Sequence, residues 1–296
     1  MDNDLSIDEA RLSKQEKIVV ADLSYEYPLS GKKVLNSISF SVSQGEFIGI
    51  IGRNGAGKST LCFALTGLVP SFFGGKRSGS VLIDDVDVLH IPKEQLVKKV
   101  GLVLQNPFSQ ISGAKMTVFE EVAFGLENIG IDREEIVERV ENVLKRFKLW
   151  EKREENPFEL SGGQLQRLAI ASVLALEPDI VILDEPTSQL DPQGTTEVFE
   201  ALLELKELGK TIILVEHKFE KLVEYCDKLL FLHNGDLISY GTAEEIFSMP
   251  EIDQYHVGEP IYTSLCKVLN LKKSNGLYPV HFDDAVSLLK GVFQRP

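Results

Sequence analysis

From Lys17 onward the chain carries two kinds of apolar pattern. IVVADLSYEY (18–27) and VLNSISFSV (34–42) alternate apolar and polar positions, which predicts half-buried strands pairing as an antiparallel edge. EFIGIIG (46–52) is instead a short continuous apolar run, the pattern of a strand covered on both faces. A helical stretch, STLCFALTGLV (59–69), follows it, and a Gly/Ser-rich turn (72–80) leads to a further strand, VLIDDVDV (81–88). KKVGLVLQ (98–105) reads as a strand ending at Gln105, and helical spacing then runs from Thr117 to about Trp150. LSGGQ (160–164) opens another helix. DIVILDEP (179–186) and TIILVEH (211–217) are buried strands on either side of an amphipathic helix closed by Gly209. KLLFLHNGDLISYG (228–241) reads as a hairpin turning at Asn-Gly. Strands alternating with helices imply a mostly parallel sheet wrapped by helices.

The strand ends concentrate the candidate chemistry. GRNGAGKST (52–60) fills every fixed position of G-x-x-x-x-G-K-[ST], between a buried strand and a helix. Gly52, Asn54, Gly55, Ala56, Gly57, Lys58, Ser59 and Thr60 are therefore expected to bind nucleotide. Backbone N–H groups turn on the β-phosphate, Lys58 supplies charge to the β- and γ-phosphates, and the Ser59 hydroxyl can ligate Mg²⁺. Asp184 is placed to hold Mg²⁺ through water, and Glu185 to polarise the attacking water as general base. His217 and Gln105 end neighbouring strands, at the carboxyl edge where open α/β sheets bind ligands. His217 could reach the γ-phosphate, and Gln105 the metal or the water. A lone histidine is more often a satisfied structural residue, but its position after a third buried strand favours the functional reading. Tyr27 offers a ring for adenine to stack on, with ordinary burial of a strand tyrosine as the rival.

Composition narrows the setting. The 296 residues are 43% hydrophobic and 26% charged, ordinary for a globular chain with a full core. Cys62, Cys226 and Cys266 lie far apart without CxxC spacing, and the histidines are scattered, so neither a disulfide frame nor a zinc site is expected. A formal net charge of −14 argues against nucleic acid as a partner. It suits docking on a membrane protein whose cytosolic loops are basic. The polar N-terminus reads as a solvated tail over residues 1–16.

LSGGQ, an intact P-loop upstream and DEPTSQLDP (184–192) downstream form the pattern of ATP-binding cassette ATPases, which residues 17–240 resemble. QNPFSQ (105–110), TVFEEVAFGLENIGI and the tail EPIYTSLCKVLNL…YPVHFDDAVSLL look like ATPase subunits of energy-coupling factor transporters. The resemblance implies a P-loop NTPase fold: a RecA-like α/β core with an antiparallel edge, a helical subdomain inserted at about 106–175, and a C-terminal appendage at 241–296. It implies ATP and Mg²⁺ as ligands, and two ATPase subunits meeting head to tail. Ser161, Gly162, Gly163 and Gln164 would then meet the γ-phosphate held by the other subunit, and Asp191 would run along that interface. A helix N-terminus needs no lysine for such a role.

The implied partners are a second ATPase, a different chain being favoured over a copy, a transmembrane coupling subunit and a substrate-binding membrane subunit. The implied setting is the cytoplasmic face of a prokaryotic membrane, the cargo a vitamin or metal ion. A soluble ATPase of the same superfamily and a non-hydrolysing regulator are the alternatives. The former would carry a long insert or two cassettes, the latter would lack Glu185 or His217. Three departures stand out. Gln189 replaces a usual alanine. Lys218 replaces a frequent acidic residue after the histidine. Phe108 replaces an acidic docking residue, so that contact is expected to shift to Gln110, Glu120 or Glu121, or to turn apolar. Leu265, Val268 and Leu269 in the tail could cap the core or, by resemblance, hold two subunits together.

Overall fold

The computed structural model describes residues 15–293. Most of the expected N-terminal tail lies outside the described residues, and Glu16 already begins the first strand. β1 (Glu16–Glu26) and β2 (Lys33–Ser43) pair antiparallel, with Val20 opposite Phe40. β3 (Phe47–Ile51) then leads into α1 (Lys58–Leu65) and the single turn α2 (Leu68–Ser71). β4 (Lys76–Ile83) and β5 (Val86–Asp87) complete an antiparallel sheet in the order β2-β1-β4-β5.

The expected single strand at 81–88 is thus two strands, and the expected turn at 72–80 already contains the start of β4. Asp84 and Asp85 take φ of 48° and 63°, the paired left-handed conformation of a two-residue hairpin. Tertiary ion pairs fix that turn: Asp84 meets both Lys17 and Lys99. A second correction follows it. Lys98 and Lys99 belong to α3 (Lys93–Lys99), and β6 spans only Val100–Val103, so Gln105 stands on the loop beyond the strand.

The second sheet has the order β10-β9-β3-β8-β7-β6. β6, β7 (Ile180–Asp184), β8 (Thr211–Val215), β3 and β9 (Lys228–His233) run parallel, and β10 (Asp236–Gly241) returns antiparallel along β9. The continuous apolar runs have the expected cause. Ile180 and Ile182 of β7 face a core shared with the antiparallel sheet, whereas Val181 and Leu183 face the core built with the helices. A strand covered on both faces has no position for a polar side chain until it ends. The polar residues therefore begin at the carboxyl ends, and the parallel run puts those ends on one edge.

α4 (Val118–Asn128), α5 (Arg133–Arg146) and α6 (Gly162–Leu174) pack together through Val122, Leu126, Val140, Leu144, Leu165 and Leu168. α7 (Pro192–Glu207) and α8 (Phe219–Tyr225) cover the sheet, and α9 (Ala243–Phe247) leads to the tail. There α10 (Ile261–Val268) is tied to the stretch before α11 (Phe282–Phe293) by the Thr263 hydroxyl, which donates to Pro279 O at 2.8 Å, and to α11 itself by the edge-to-face pair Tyr262–Phe282. Leu265, Val268 and Leu269 do not cap the core. They are exposed, Val268 at 83%. Among the described residues no helix is long and apolar enough to cross a membrane.

Candidate functional site

The loop after β3 is shaped by glycines that no other residue could replace. Gly52 has φ 148° and Gly57 φ 101°. A Cβ on Gly52 would overlap the Leu232 carbonyl, and one on Gly57 would lie 2.9 Å from the Val34 carbonyl. Gly57 also starts α1 with no side-chain cap and no acidic residue in the first turn, so the helix presents free N–H groups. Lys58 is buried at that start and donates to the carbonyls of Gly52 (2.9 Å) and Arg53 (3.2 Å). Burial holds its ammonium below the usual lysine range, against the pull of the Glu185 and Asp184 charges.

The loop opens on a cleft of about 290 Å³, lined by Asn54, Gly55, Gly57, Lys58, Ser59 and Thr60, with Gln105 and Glu185 also contributing. Gly52 and Ala56 shape the loop rather than line it: Ala56 is buried and accepts from Gly235 N in the β9–β10 turn at 3.0 Å. Val34 of β2 also lines the cleft, and nothing in the sequence marked it.

The segments just beyond β6, β7 and β8 converge at Glu185. Its carboxylate accepts from Gln105 Nε2 at 2.7 Å and from His217 Nε2 at 2.9 Å. Glu185 has φ 48°, a left-handed backbone that costs a non-glycine residue about 1–3 kcal/mol and survives only where its surroundings enforce it. One enforcing contact is its own N–H, which donates to Val215 O at 2.9 Å. Asp184 is buried at 3% exposure, and its Oδ1 has no hydrogen-bond partner. Burial raises its carboxyl above the usual aspartate range and Glu185 adds to this, while the Ser59 hydroxyl, Lys58 and His217 pull the other way. An orphaned buried carboxylate oxygen beside a serine hydroxyl fits a hard cation that prefers oxygen ligands.

The signature residues lie elsewhere. None of Ser161, Gly162, Gly163 and Gln164 lines the cleft of this chain's own P-loop. They start α6 with a capping box: Gln164 N donates to Ser161 Oγ at 3.3 Å, and Ser161 N to Gln164 Oε1 at 2.9 Å. Gln164 is thereby committed to its own helix, whereas the Gly162 and Gly163 N–H groups belong to the unpaired first turn. A Cβ on Gly162 would come within 3.0 Å of Gln189 Oε1, so the departing Gln189 rests on the signature. Asp191 is exposed and caps α7, its Oδ1 accepting from Gly194 N at 2.7 Å. Tyr27 is half-buried and bonded to Thr60 Oγ1 at 3.2 Å. Its ring meets Tyr25 and Phe73 edge-on, and Phe73 stacks on Phe63, an aromatic group visible only in three dimensions.

Two of the expected docking residues are turned inward. Glu121 is buried and accepts from Ser112 N (2.7 Å) and Oγ (2.8 Å). Gln110 bridges Leu104 N, Leu102 O and Ala169 O. Glu120 completes the capping box of α4 with Thr117. Phe108 itself is 55% exposed, as are Met116 and Phe158 at 71% and 52%.

A family model described as ABC transporter matches residues 35–188. An ABC transporter ATP-binding protein of Pyrococcus horikoshii is 43% identical over 94% of this chain and 98% of that protein. The energy-coupling factor transporter ATP-binding protein EcfA1 of Bacillus licheniformis is 39% identical over 88% and 90%. Among solved structures, cbiO1 from Clostridium perfringens, part of the ABC transporter complex cbiONQ, superposes with a TM-score of 0.68 at 35% identity, covering 81% of this chain and 94% of cbiO1. An ATP-binding cassette solved as a dimer in a post-hydrolysis state bound to ADP and Pi gives a TM-score of 0.67 at 26% identity, over 76% and 98%. With the P-loop, the carboxylate strand and the signature helix on one α/β core, the chain belongs to the ABC transporter family, as one of its ATP-hydrolysing cassettes.

Proposed function

We propose that this chain is the ATP-hydrolysing subunit of an energy-coupling factor-type importer for a vitamin or metal ion, working on the cytoplasmic face of a prokaryotic membrane. The likeness to EcfA1 and cbiO1 supports the transporter class. The observation that carries the mechanism is the meeting of Gln105, Glu185 and His217 at 2.7 and 2.9 Å beside the P-loop cleft.

In this reading the N–H groups of the loop and the Lys58 ammonium hold the β- and γ-phosphates. Tyr27 lies at the Thr60 end of the cleft, where adenine would stack. Ser59 and Asp184 would hold Mg²⁺, Asp184 through water, with Gln105 within reach; the ion would neutralise charge building on the phosphate oxygens. Glu185 takes the proton of a water that His217 and Gln105 orient toward the γ-phosphorus. The bond from that phosphorus to the β–γ bridging oxygen breaks as the new P–O bond forms.

The signature end of α6 gives the reading its second half. It is exposed, carries no charge and lies outside its own chain's cleft, so it would complete the site of a second ATPase subunit, a different chain being favoured over a copy. ATP would then hold two subunits together, hydrolysis would release them, and Asp191 would line the seam. The exposed apolar face of α10, with Ile261, Leu265 and Val268, would keep the pair associated between cycles. Docking on the transmembrane subunit would be apolar here, through Phe108.

The test is Glu185→Gln. The variant is expected to bind ATP normally, to lose turnover by at least about 100-fold as a missing general base would, and to accumulate as a closed dimer with Mg-ATP. Turnover near the unaltered rate, measured by phosphate release, would remove Glu185 from the chemistry.

A further inference from the structure

The residues on either side of the catalytic histidine are engaged in a contact that the roles above leave unused. We propose that Glu216, Thr187 and Lys218 form a clamp that holds Glu185 and His217 in register with one another, making Thr187 a positioning residue for ATP hydrolysis.

Thr187 stands two residues beyond Glu185 and is 1% exposed; Glu216 immediately precedes His217 and is 4% exposed. The Thr187 hydroxyl donates to Glu216 Oε2 at 2.5 Å, and the other carboxylate oxygen accepts from His217 N at 2.9 Å. One buried carboxylate thus bonds both segments. Lys218 closes the arrangement from the other side of the histidine, its Nζ donating to Thr187 O at 3.3 Å and to Thr195 Oγ1 at 2.7 Å. Upstream, Glu185 N is already tied to Val215 O. The two catalytic residues are therefore tied to each other's strand before and after the point where their side chains meet.

Such bracketing answers a physical need. Glu185 sits in a left-handed backbone conformation that relaxes unless neighbours enforce it. A general base displaced by about 1 Å loses on the order of 100-fold in rate, because proton transfer and attack demand near-contact geometry. The clamp also gives the departure at Lys218 a cause. An acidic side chain at this position would set a carboxylate against the Thr187 carbonyl, acceptor against acceptor, whereas an ammonium donates to it. Glu216 and Lys218 therefore act as a pair of opposite polarity on one threonine, the first on its hydroxyl and the second on its carbonyl.

The inference rests on the catalytic reading of Glu185 and His217, and two threonine variants separate it from that reading. Steady-state ATP hydrolysis is measured for the full chain in the assembly in which it turns over, alongside the affinity for a fluorescent ATP analogue. Thr187→Val keeps the shape and removes the hydroxyl. It is expected to lower kcat at least about tenfold with KM and nucleotide affinity unchanged, a positioning effect within the range a general base supplies. Thr187→Ser restores the hydroxyl and is expected to return kcat to within about twofold of the unaltered protein. Combined with Glu185→Gln, Thr187→Val is expected to lower the residual rate no further, since it acts through the base. Lys218→Met, which leaves the buried carboxylate in place, is expected to lower kcat about threefold at constant KM and gives a readout should the valine variant fold poorly. The clamp is overturned if Thr187→Val turns over normally, if valine and serine lose activity equally, or if kcat and affinity fall together. In each of those cases Glu185→Gln still lacks turnover; a Glu185→Gln that remains active overturns the catalytic reading instead.

Discussion

The N-termini of α1 and α6 both lack acidic residues in the first turn and present backbone N–H groups, yet they are built in opposite ways. α1 starts at an uncapped left-handed glycine, carries a buried lysine and opens on its own cleft. α6 starts at a serine held in a capping box, carries no charge and is exposed away from that cleft. The first is a charged grip, built at a left-handed glycine, for an anion in this chain's own cleft. The second is neutral and lies outside that cleft, its capping box satisfying Ser161 N and Gln164 N while the Gly162 and Gly163 N–H groups stay in the unpaired first turn. In the proposed scheme the first end would bind the nucleotide and the second would meet it across an interface.

Breaking the first end should have the largest effect. Lys58→Ala removes the buried Lys58 ammonium from the cleft and is expected to weaken ATP binding at least about tenfold, with hydrolysis falling further still. Titration with a fluorescent ATP analogue checks this, and unchanged affinity would contradict the P-loop assignment. Breaking the second end should leave binding alone. Ser161→Ala in the full chain is expected to keep ATP affinity and lose turnover by about tenfold. It should also cost the fold roughly 1 kcal/mol through the lost cap. Parallel binding and phosphate-release assays separate the two; a loss of affinity equal to that of Lys58→Ala would erase the contrast.

The smallest effect concerns the cost of keeping a carboxylate buried beside the cleft. Burial raises the Asp184 carboxyl above its unfolded value, so the folded chain holds that proton more tightly than the unfolded one. Below the unfolded value of 3.8 both states are protonated and nothing is lost. As pH rises from there through the raised folded value, stability is lost, and the cost is fully present above it. Asp184→Asn is accordingly expected to melt at a higher temperature than the unaltered chain at pH 7 without nucleotide. The gain should shrink as pH falls toward 3.8. A lower melting temperature at pH 7 would mean that the carboxylate stabilises the fold.

Much of this was legible in the sequence, for a physical reason. Residues 52–60 carry their geometry in a single stretch of chain, because glycine conformation, lysine position and helix start are all local. Asp184, Glu185 and His217 were readable because a strand buried on both faces marks its own end by the first polar residue, and a parallel sheet brings such ends together. What escaped was decided by distant partners. The turn at Asp84 and Asp85 has no glycine or asparagine and depends on Lys17 and Lys99. Val34 and Phe73 reach the site region from the antiparallel sheet and a surface loop. Gln110 and Glu121 look like surface residues until their partners, Ala169 and Ser112, are in place. The Thr187–Glu216 bond joins two segments that share no pattern at all.

In the proposed scheme each triphosphate is held by the P-loop of one subunit and the signature of another. The most direct measurement is the structure of the Glu185→Gln protein with Mg-ATP, in its assembly with the other transporter subunits. The γ-phosphate is expected between Lys58 on one side and, facing it from an adjoining ATPase subunit within hydrogen-bond reach, the Ser161 hydroxyl with the Gly162 and Gly163 N–H groups. A nucleotide enclosed by a single chain, with Ser161 distant from any phosphate, would contradict it.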